Sequence, residues 1–261
     1  MLKVIAVRLA GLFGTQAPEP VLESTGRCMT CSGQVRFIAR APYLRDSYQC
    51  SACGSIPRER ALMAVIDSWY PRWRELAIHE SSPSSRGASK RLADECAHYV
   101  ASQYFPGRTP GSVVDGVRCE NLEALSFPDA SIDLHVTQDV MEHVFDPAQV
   151  FREIARTLKP GGAHVFTAPL WKKHEASTRR ARLDADSKLV HLDTPVYHGN
   201  PVSDEGSLVT VDWGYDICRH IFEASGLFTH IIHIDDVSRG IRADLNEVLV
   251  TIKPAAGCTA L

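Results

Sequence analysis

The chain predicts an α/β fold, a doubly wound, largely parallel sheet with a small cysteine-bearing module ahead of it. Three observations carry that prediction. Strand-like and amphipathic helical segments alternate from residue 75 onward. Residues 132–170 form a strand–helix–strand unit with clear punctuation at each boundary. Two Cys-x-x-Cys pairs, Cys28/Cys31 and Cys50/Cys53, precede the alternating region.

Composition sets the outer bounds. At 261 residues the chain suits one large domain with a small appendage. Its formal net charge of −3 gives no global field that would draw it to nucleic acid or anionic lipid. No apolar run reaches transmembrane length, so no membrane partner is expected. The eight cysteines form no evident disulfide framework for a chain this long, which suits a reducing cytoplasm.

Taken in order, residues 1–14 mix basic and apolar side chains, and Arg8 interrupts the apolar stretch. A short amphipathic helix or edge strand fits that pattern better than a cleaved leader. Residues 15–26 carry two prolines and no periodicity and read as a linker, so that residues 1–26 make an N-terminal segment. Residues 27–56 hold the four cysteines. Each pair can aim two thiolates at one point, with Gly33 and Gly54 allowing tight turns, and the intervening chain is long enough for a two-stranded excursion. A structural Zn2+ ribbon on Cys28, Cys31, Cys50 and Cys53 is the expectation; four reduced core cysteines or two disulfides are the alternatives.

The main domain is expected over residues 57–261. Ala61, Leu62, Val65, Ile66 and Trp69 recur at helical spacing behind Pro57. Arg58 and Arg60 beside them read as solvated surface charges or as contacts to a ligand carboxylate. Residues 75–80 are a short strand, followed by the loop Ser81-Ser82-Pro83-Ser84-Ser85 and a helix opening near Ala88. Residues 98–103 and 116–122 read as the next two strands. Residues 132–140 form a buried strand ending in Gln138, Asp139, Glu142 and His143. Asp146 and Pro147 then supply an N-cap and a first-turn proline, and Ala148, Phe151, Ile154, Ala155 and Leu158 give the helix one apolar face. Lys159-Pro160-Gly161-Gly162 ends that helix before another buried strand. Residues 171–209 are too long for a plain connector and read as a lid or binding element. A helix at 212–224 and strands at 228–234 and 247–252 complete the sheet.

These residues also carry a resemblance. Asp139-Val140-x-Glu142-His143-Val144, then Arg156-x-Leu158-Lys159-Pro160-Gly161-Gly162 and a strand ending in proline, resemble the second half of a class I S-adenosylmethionine (SAM)-dependent methyltransferase, more narrowly the type 11 group. The approach Leu125-x-Phe127-Pro128-Asp129-x-Ser131-Ile132-Asp133 matches as well. The similarity covers residues 75–254. It implies a Rossmann-like seven-stranded methyltransferase sheet closed by an antiparallel hairpin, and SAM as cofactor.

The resemblance also implies site residues. The loop after the first strand passes beneath the methionine part of SAM, which places Glu80, Ser81, Ser82, Pro83 and Gly87 in contact with it. That loop is glycine-rich in the family; here Gly87 is its only glycine and serines stand in the other places. The second strand ends in an acid that holds the ribose diol; here Ser102, Gln103 and Tyr104 occupy that end. Glu120, Asn121 and Leu122 stand where the adenine amino group is met. Gln138, Asp139, Val140 and His143 line the cofactor cleft, with bracing of the loop as the other reading for Glu142 and His143. The insertion at 171–209 covers the acceptor, and His174, His191, Tyr197 and His198 there can take a proton from an attacking atom. The turn-forming sequence around Tyr197 and His198 favours that pair. Asp193 and Asp204 in the same insertion read as loop staples.

Three functions are open on this reading. The first is methyl transfer to a small-molecule or glycan-like acceptor. The second is RNA methylation, with Arg27, Arg36, Arg40, Arg45, Phe37 and Tyr43 of the ribbon as the RNA-binding surface. The third is a binding module that has lost its cofactor, for which the missing glycines and ribose acid speak.

Overall fold

The computed structural model describes residues 19–200 and 203–257. The segment at 1–14 and the start of the expected linker lie outside the described residues. From Leu22 onward that linker is a strand. Leu22–Arg27 (β1) pairs antiparallel with Gln34–Ala39 (β2) in unbroken register. Leu22, Ser24 and Gly26 are the more buried positions and Glu23, Thr25 and Arg27 the exposed ones, a period of two that the prolines upstream conceal. One helical turn, Leu44–Ser47 (α1), leads to Tyr48–Cys50 (β3), which completes a three-stranded sheet. Cys28, Phe37, Ala39, Tyr48 and Cys50 are its small core.

Pro57–Trp69 (α2) joins this module to the main sheet, its first turn capped by Glu59, whose carboxylate accepts the Ile56 N–H at 2.9 Å. Then come Ala77–Ser81 (β4), Gly87–Glu95 (α3), His98–Gln103 (β5), Val113–Val114 (β6), Val117–Cys119 (β7), Ile132–Gln138 (β8), Pro147–Thr157 (α4) and Leu158–Thr167 (β9). The Asp146 cap forms as expected, accepting from Gln149 N–H at 3.0 Å. The insertion and the residues just after it fold into Thr178–Arg179 (β10), Ala181–Leu183 (β11), Leu189–His191 (β12), Tyr197–Asn200 (β13), Ser203–Leu208 (β14) and Val211–Asp212 (β15). The insertion at 171–209 is thus a set of antiparallel ribbons, β11 with β12 and β13 with β14, while β10 pairs with β15 just beyond it. Ile217–Ser225 (α5), Phe228–Ile232 (β16) and Val248–Ile252 (β17) close the chain. The helix expected from residue 212 begins later because Val211–Asp212 is taken into β15 and Trp213 is buried.

Among the described residues the main sheet has eight strands, in the order β16-β17-β9-β8-β4-β5-β7-β6. Five central strands run parallel, and β16–β17 is the expected antiparallel hairpin at one edge. The strand beyond the expected seven is β6, which folds back on β7 through Asp115-Gly116, both at positive φ. Leu134, Val136, Ala163 and Val165 face α2 and α3 on one side, while α4 and α5 pack with Phe166 and Leu249 on the other. This two-sided burial is what makes the sheet doubly wound.

The face toward α4 holds an arrangement that an apolar strand does not suggest. His79, His135 and His164 are in register on β4, β8 and β9 and are all buried. His79 Nδ1 and His135 Nδ1 lie 3.0 Å apart. Thr157 donates its hydroxyl to Glu153 O at 2.8 Å and so accepts from His135 Nε2. His135 Nδ1 is then the acceptor for His79 Nδ1–H, and His79 Nε2 accepts from Ser102 Oγ at 2.7 Å. Every proton is placed with both rings neutral.

Candidate functional site

The sheet reverses its direction of growth at β4, with β5 and β7 laid down on one side and β8 and β9 on the other. In open α/β sheets such a switch point opens a crevice at the carboxyl ends of the strands. Residues 80–83 (end of β4), 102–104 (β5), 120–122 (β7) and 138–140 (β8) all lie at those ends. The expected cofactor positions therefore gather along four adjacent strands.

Their side chains divide into two groups. Glu80 is fully buried and its carboxylate accepts from Ser89 Oγ at 2.7 Å, Tyr99 OH at 2.8 Å and Gln138 Nε2 at 2.8 Å. Burial pushes its pKa up against those hydrogen bonds. It braces the loop and is not free to meet a ligand ammonium. Glu120 is likewise enclosed, accepting from Arg118 Nε at 2.7 Å and from Ser126 N at 2.9 Å. Ser102 is turned into the core toward His79, which removes it from the expected set. Leu122 is buried in the α4-side core. Asn121 Oδ1 accepts from Glu123 N at 3.0 Å, a local turn that leaves its amide group over. Gln103 is half-buried at the end of β5 and Tyr104 is exposed.

The serine loop replaces glycine by its backbone. Ser82 sits at φ +56° and Gly87 at φ +59°. A Cβ on Gly87 would fall 2.3 Å from the Glu59 carboxylate, so glycine is required where α2 crosses the start of α3. Ser84 N donates to Ser89 Oγ at 3.1 Å, fixing the loop on α3.

Asp139, also at positive φ, is claimed by the N-terminal module. Arg45 Nη2 donates to both of its oxygens at 2.9 and 2.7 Å, Arg58 Nε lies 3.1 Å away, and Thr167 Oγ1 donates at 3.0 Å. Burial alone would raise this carboxyl, but the two guanidiniums hold it below the usual carboxylate range. Arg45 also donates through Nε to Leu245 O at 2.9 Å. Arg60 is fully buried, donating to Gly240 O and Tyr48 O beneath the Phe37 ring. Both arginines expected on the surface of α2 are thus structural, and Arg45 and Phe37 are withdrawn from any RNA-binding surface.

The four cysteines converge. Their sulfurs lie within 4.8 Å of one another, Cys28 to Cys53 at 3.8 Å and Cys31 to Cys50 at 3.9 Å. Ser32 N donates to Cys28 O and Gly54 N to Cys50 O, each at 2.9 Å, which closes the two turns. Four thiolates 2.3 Å from one tetrahedral ion would stand about 3.8 Å apart. A disulfide would need about 2.05 Å. The set fits a zinc ion.

The third feature lies beyond β9. A cavity of about 430 Å3 is lined by Glu142, Trp171, Lys172, Glu175, His198 and Val209, among others. The insertion roofs it, and Thr210 and Trp213 fasten the 141–144 segment beneath through Thr210 N to Glu142 O at 2.7 Å and Trp213 Nε1 to Met141 O at 3.0 Å. Of the expected proton acceptors, His198 lines this cavity. Tyr197 is 53% exposed and His191 is exposed on β12, and His174 packs edge-on against Tyr215. That His198 joins Glu142 and His143 was not legible in sequence, because residues 143 and 198 meet only through the packing of β13.

Residues 88–166 match the family model described as "Methyltransferase domain". A dimethylglycine N-methyltransferase of Parasynechococcus marenigrum is 46% identical over 50 residues, 19% of this chain and 18% of that protein. An uncharacterized methyltransferase of Mycobacterium avium is 29% identical over 156 residues, 56% of this chain and 60% of the relative. The chain thus spans less than two thirds of the length of these relatives. Among solved structures, an S-adenosylmethionine-dependent methyltransferase from Mesorhizobium loti is 18% identical and matches 74% of this chain and 97% of that one, with a TM-score of 0.47.

Proposed function

We propose, from the match of residues 88–166 to a methyltransferase domain, that the chain transfers a methyl group from SAM to a small-molecule acceptor. The observation that carries the reading is the gathering of residues 80–83, 102–104, 120–122 and 138–140 at the carboxyl ends of four adjacent strands around the switch point.

SAM, when bound, supplies an electrophilic methyl group. The residues of the chain supply its seat. Ser82 at positive φ lets the loop turn tightly without the family's glycines, and the small serine side chains allow the backbone to come close to the ligand. Backbone amides at the start of α3 favour a carboxylate. Gln103 can hold a ribose hydroxyl and Asn121 the adenine edge. Glu80 and Asp139 act behind these contacts, the first bracing the loop and the second tying the crevice to the N-terminal module.

The acceptor is assigned to the 430 Å3 cavity beneath the insertion, a volume within the range of small-molecule pockets. Its mixed lining, Trp171 and Val209 beside Lys172, Glu175 and His198, suits a compact ligand with both apolar and hydroxyl surface. Orientation and exclusion of water supply the acceleration there. We also infer a zinc ion on Cys28, Cys31, Cys50 and Cys53, with all four positions filled by protein and a structural role.

One observation favours a second reading, a protein that binds without catalysis. Glu80, Glu120 and Asp139 all have their carboxylates engaged by protein partners. Calorimetric titration with SAM and S-adenosylhomocysteine separates the two. Binding in the range of about 1–100 µM, weakened at least about fivefold by Gln103→Ala, supports the transferase. Absence of binding to either ligand at millimolar concentration leaves the second reading.

A further inference from the structure

We propose that Glu142, His143 and His198 form a binding site for a divalent first-row transition-metal ion at the floor of the acceptor cavity. One ligand atom from each lies within 4.8 Å of the other two. Glu142 is 1% exposed, and neither of its carboxylate oxygens has a hydrogen-bond partner. A carboxyl group buried and unsatisfied at both oxygens is costly, so a missing partner is the expected explanation.

The surroundings say what that partner is. His143 Nδ1 donates to Leu208 O at 2.9 Å, because a carbonyl can only accept. That bond leaves the lone pair on Nε2, the atom that faces Glu142 Oε1 at 3.7 Å. A histidine fixed through one nitrogen by a backbone carbonyl, with the other free, is the arrangement that metal-bound imidazoles adopt. His198 Nδ1 approaches the same Glu142 oxygen from β13 at 3.8 Å, and the two imidazoles stand edge to face with centroids 5.1 Å apart. These separations are too wide for hydrogen bonds. They exceed by about 0.3–0.8 Å the roughly 3.0–3.4 Å between neighbouring ligands that metal bonds of about 2.1 Å impose, a gap that side-chain rotation on binding would close.

Donor type and charge select the ion. Two imidazoles and one carboxylate suit manganese, iron, cobalt or zinc better than calcium or magnesium. The nearby Arg45 and Arg58 do not oppose a cation, since Asp139 takes both and Asp46 lies 3.2 Å from Arg58. Three protein ligands leave open positions, and Glu142 and His198 both line the cavity. Those positions would take an oxygen of the acceptor, which points to an acceptor bearing hydroxyl groups. This last step alone rests on the transferase reading; the metal site stands without it.

The test is titration of the full, zinc-loaded chain with Mn2+, followed by loss of the free aqua-ion signal in electron paramagnetic resonance. Thiolates select softer ions, so Mn2+ does not report on the cysteine cluster. One ion per chain is expected, bound more tightly than about 0.1 mM. His198→Ala, at a side chain 38% exposed on β13, should weaken it at least about tenfold with the melting temperature kept. Glu142→Gln, of the same shape, should abolish it. Failure of the wild-type chain to bind Mn2+ at 1 mM overturns the site, as does binding of equal strength in both variants. Because the readout is Mn2+ binding, a negative result here is distinct from a failure to bind SAM.

Discussion

Arg45 of the cysteine module and Asp139 of the main sheet are joined by one guanidinium nitrogen that donates to both carboxylate oxygens, at 2.9 and 2.7 Å, with the two side chains 8% and 16% exposed. The pair sits at the carboxyl end of β8, where the crevice begins. A module that sequence reading treats as an appendage therefore helps to build the wall of the site.

Removing one member of this pair leaves the other buried without its counter-charge. Asp139→Asn is expected to cost about 3–5 kcal/mol in urea unfolding, because buried Arg45 loses its counter-charge and Arg58 keeps only the exposed Asp46. Arg45→Met in the Asp139→Asn background should recover part of that loss. Additive effects of the two changes, within about 0.5 kcal/mol, would contradict a direct coupling.

The zinc inference predicts a linked loss of metal and stability. Cys50→Ser should reduce bound zinc from one ion per chain to none and lower the melting temperature by at least about 6 °C, the shift that about 3 kcal/mol produces at this size. Unchanged zinc content and melting temperature would sink it.

Gly26 lies against the loop that precedes β17. A Cβ there would stand 1.7 Å from Ser238 O, a backbone atom that cannot swing aside. Gly26→Ala should therefore destabilise the chain by about 1–3 kcal/mol through overpacking. Hydrogen exchange should show faster opening at residues 236–241, while protection across β8 and β9 stays as it was. Equal protection at 236–241 in the variant would mean that the module does not press on that loop.

The histidine row predicts acid sensitivity. Burial pushes the pKa of His79 and His164 down to about 3, with Arg118 and His79 respectively adding to it, and that of His135 well below its ordinary value. Unfolded, each titrates near 6.5. Between these values the unfolded chain binds more protons than the folded one, so stability falls as pH drops below about 6.5. Each histidine contributes roughly 1.4 kcal/mol per pH unit in that window. Unfolding by urea at pH 7.0 and 5.5 should show the loss, and His164→Asn should reduce its slope. A flat profile between pH 7 and 5 would mean that the row is charged or hydrated.

Much of this fold is legible because local chemistry and tertiary packing agree. Asp146-Pro147, the apolar face of α4 and the Cys-x-x-Cys pairs each announce themselves within a few residues. The Asp115-Gly116 turn announces β6 as clearly, and counting by family resemblance passes over it. The site was less legible because its decisive pairs are distant in sequence. Asp139 and His143 read as ligand contacts when only their own strand is in view. It takes Arg45, 94 residues away, to show that the first is occupied, and Leu208, 65 residues away, to show how the second is oriented. His79, His135 and His164 were hidden differently. Each looks like a stray polar residue in an apolar strand, and only the register of three strands sets them side by side.

The docking of the module also bears on the order in which the chain can assemble. Arg60 donates to Gly240 O across 180 residues, Arg45 to Leu245 O across 200 and Ser24 to Val237 O across 213. Residues 24–60, made earlier, thus wait for residues 237–245 before these bonds can form. Closing loops of that length carries an entropy cost that must be met before the contacts form, and it slows folding. During synthesis the cysteine cluster can gather its ion early, while Arg45 and Arg60 stay unburied until the strand order is complete. The seam between the cysteine module and residues 237–245 therefore closes late, and it is where a partly made chain would first betray itself to proteolysis.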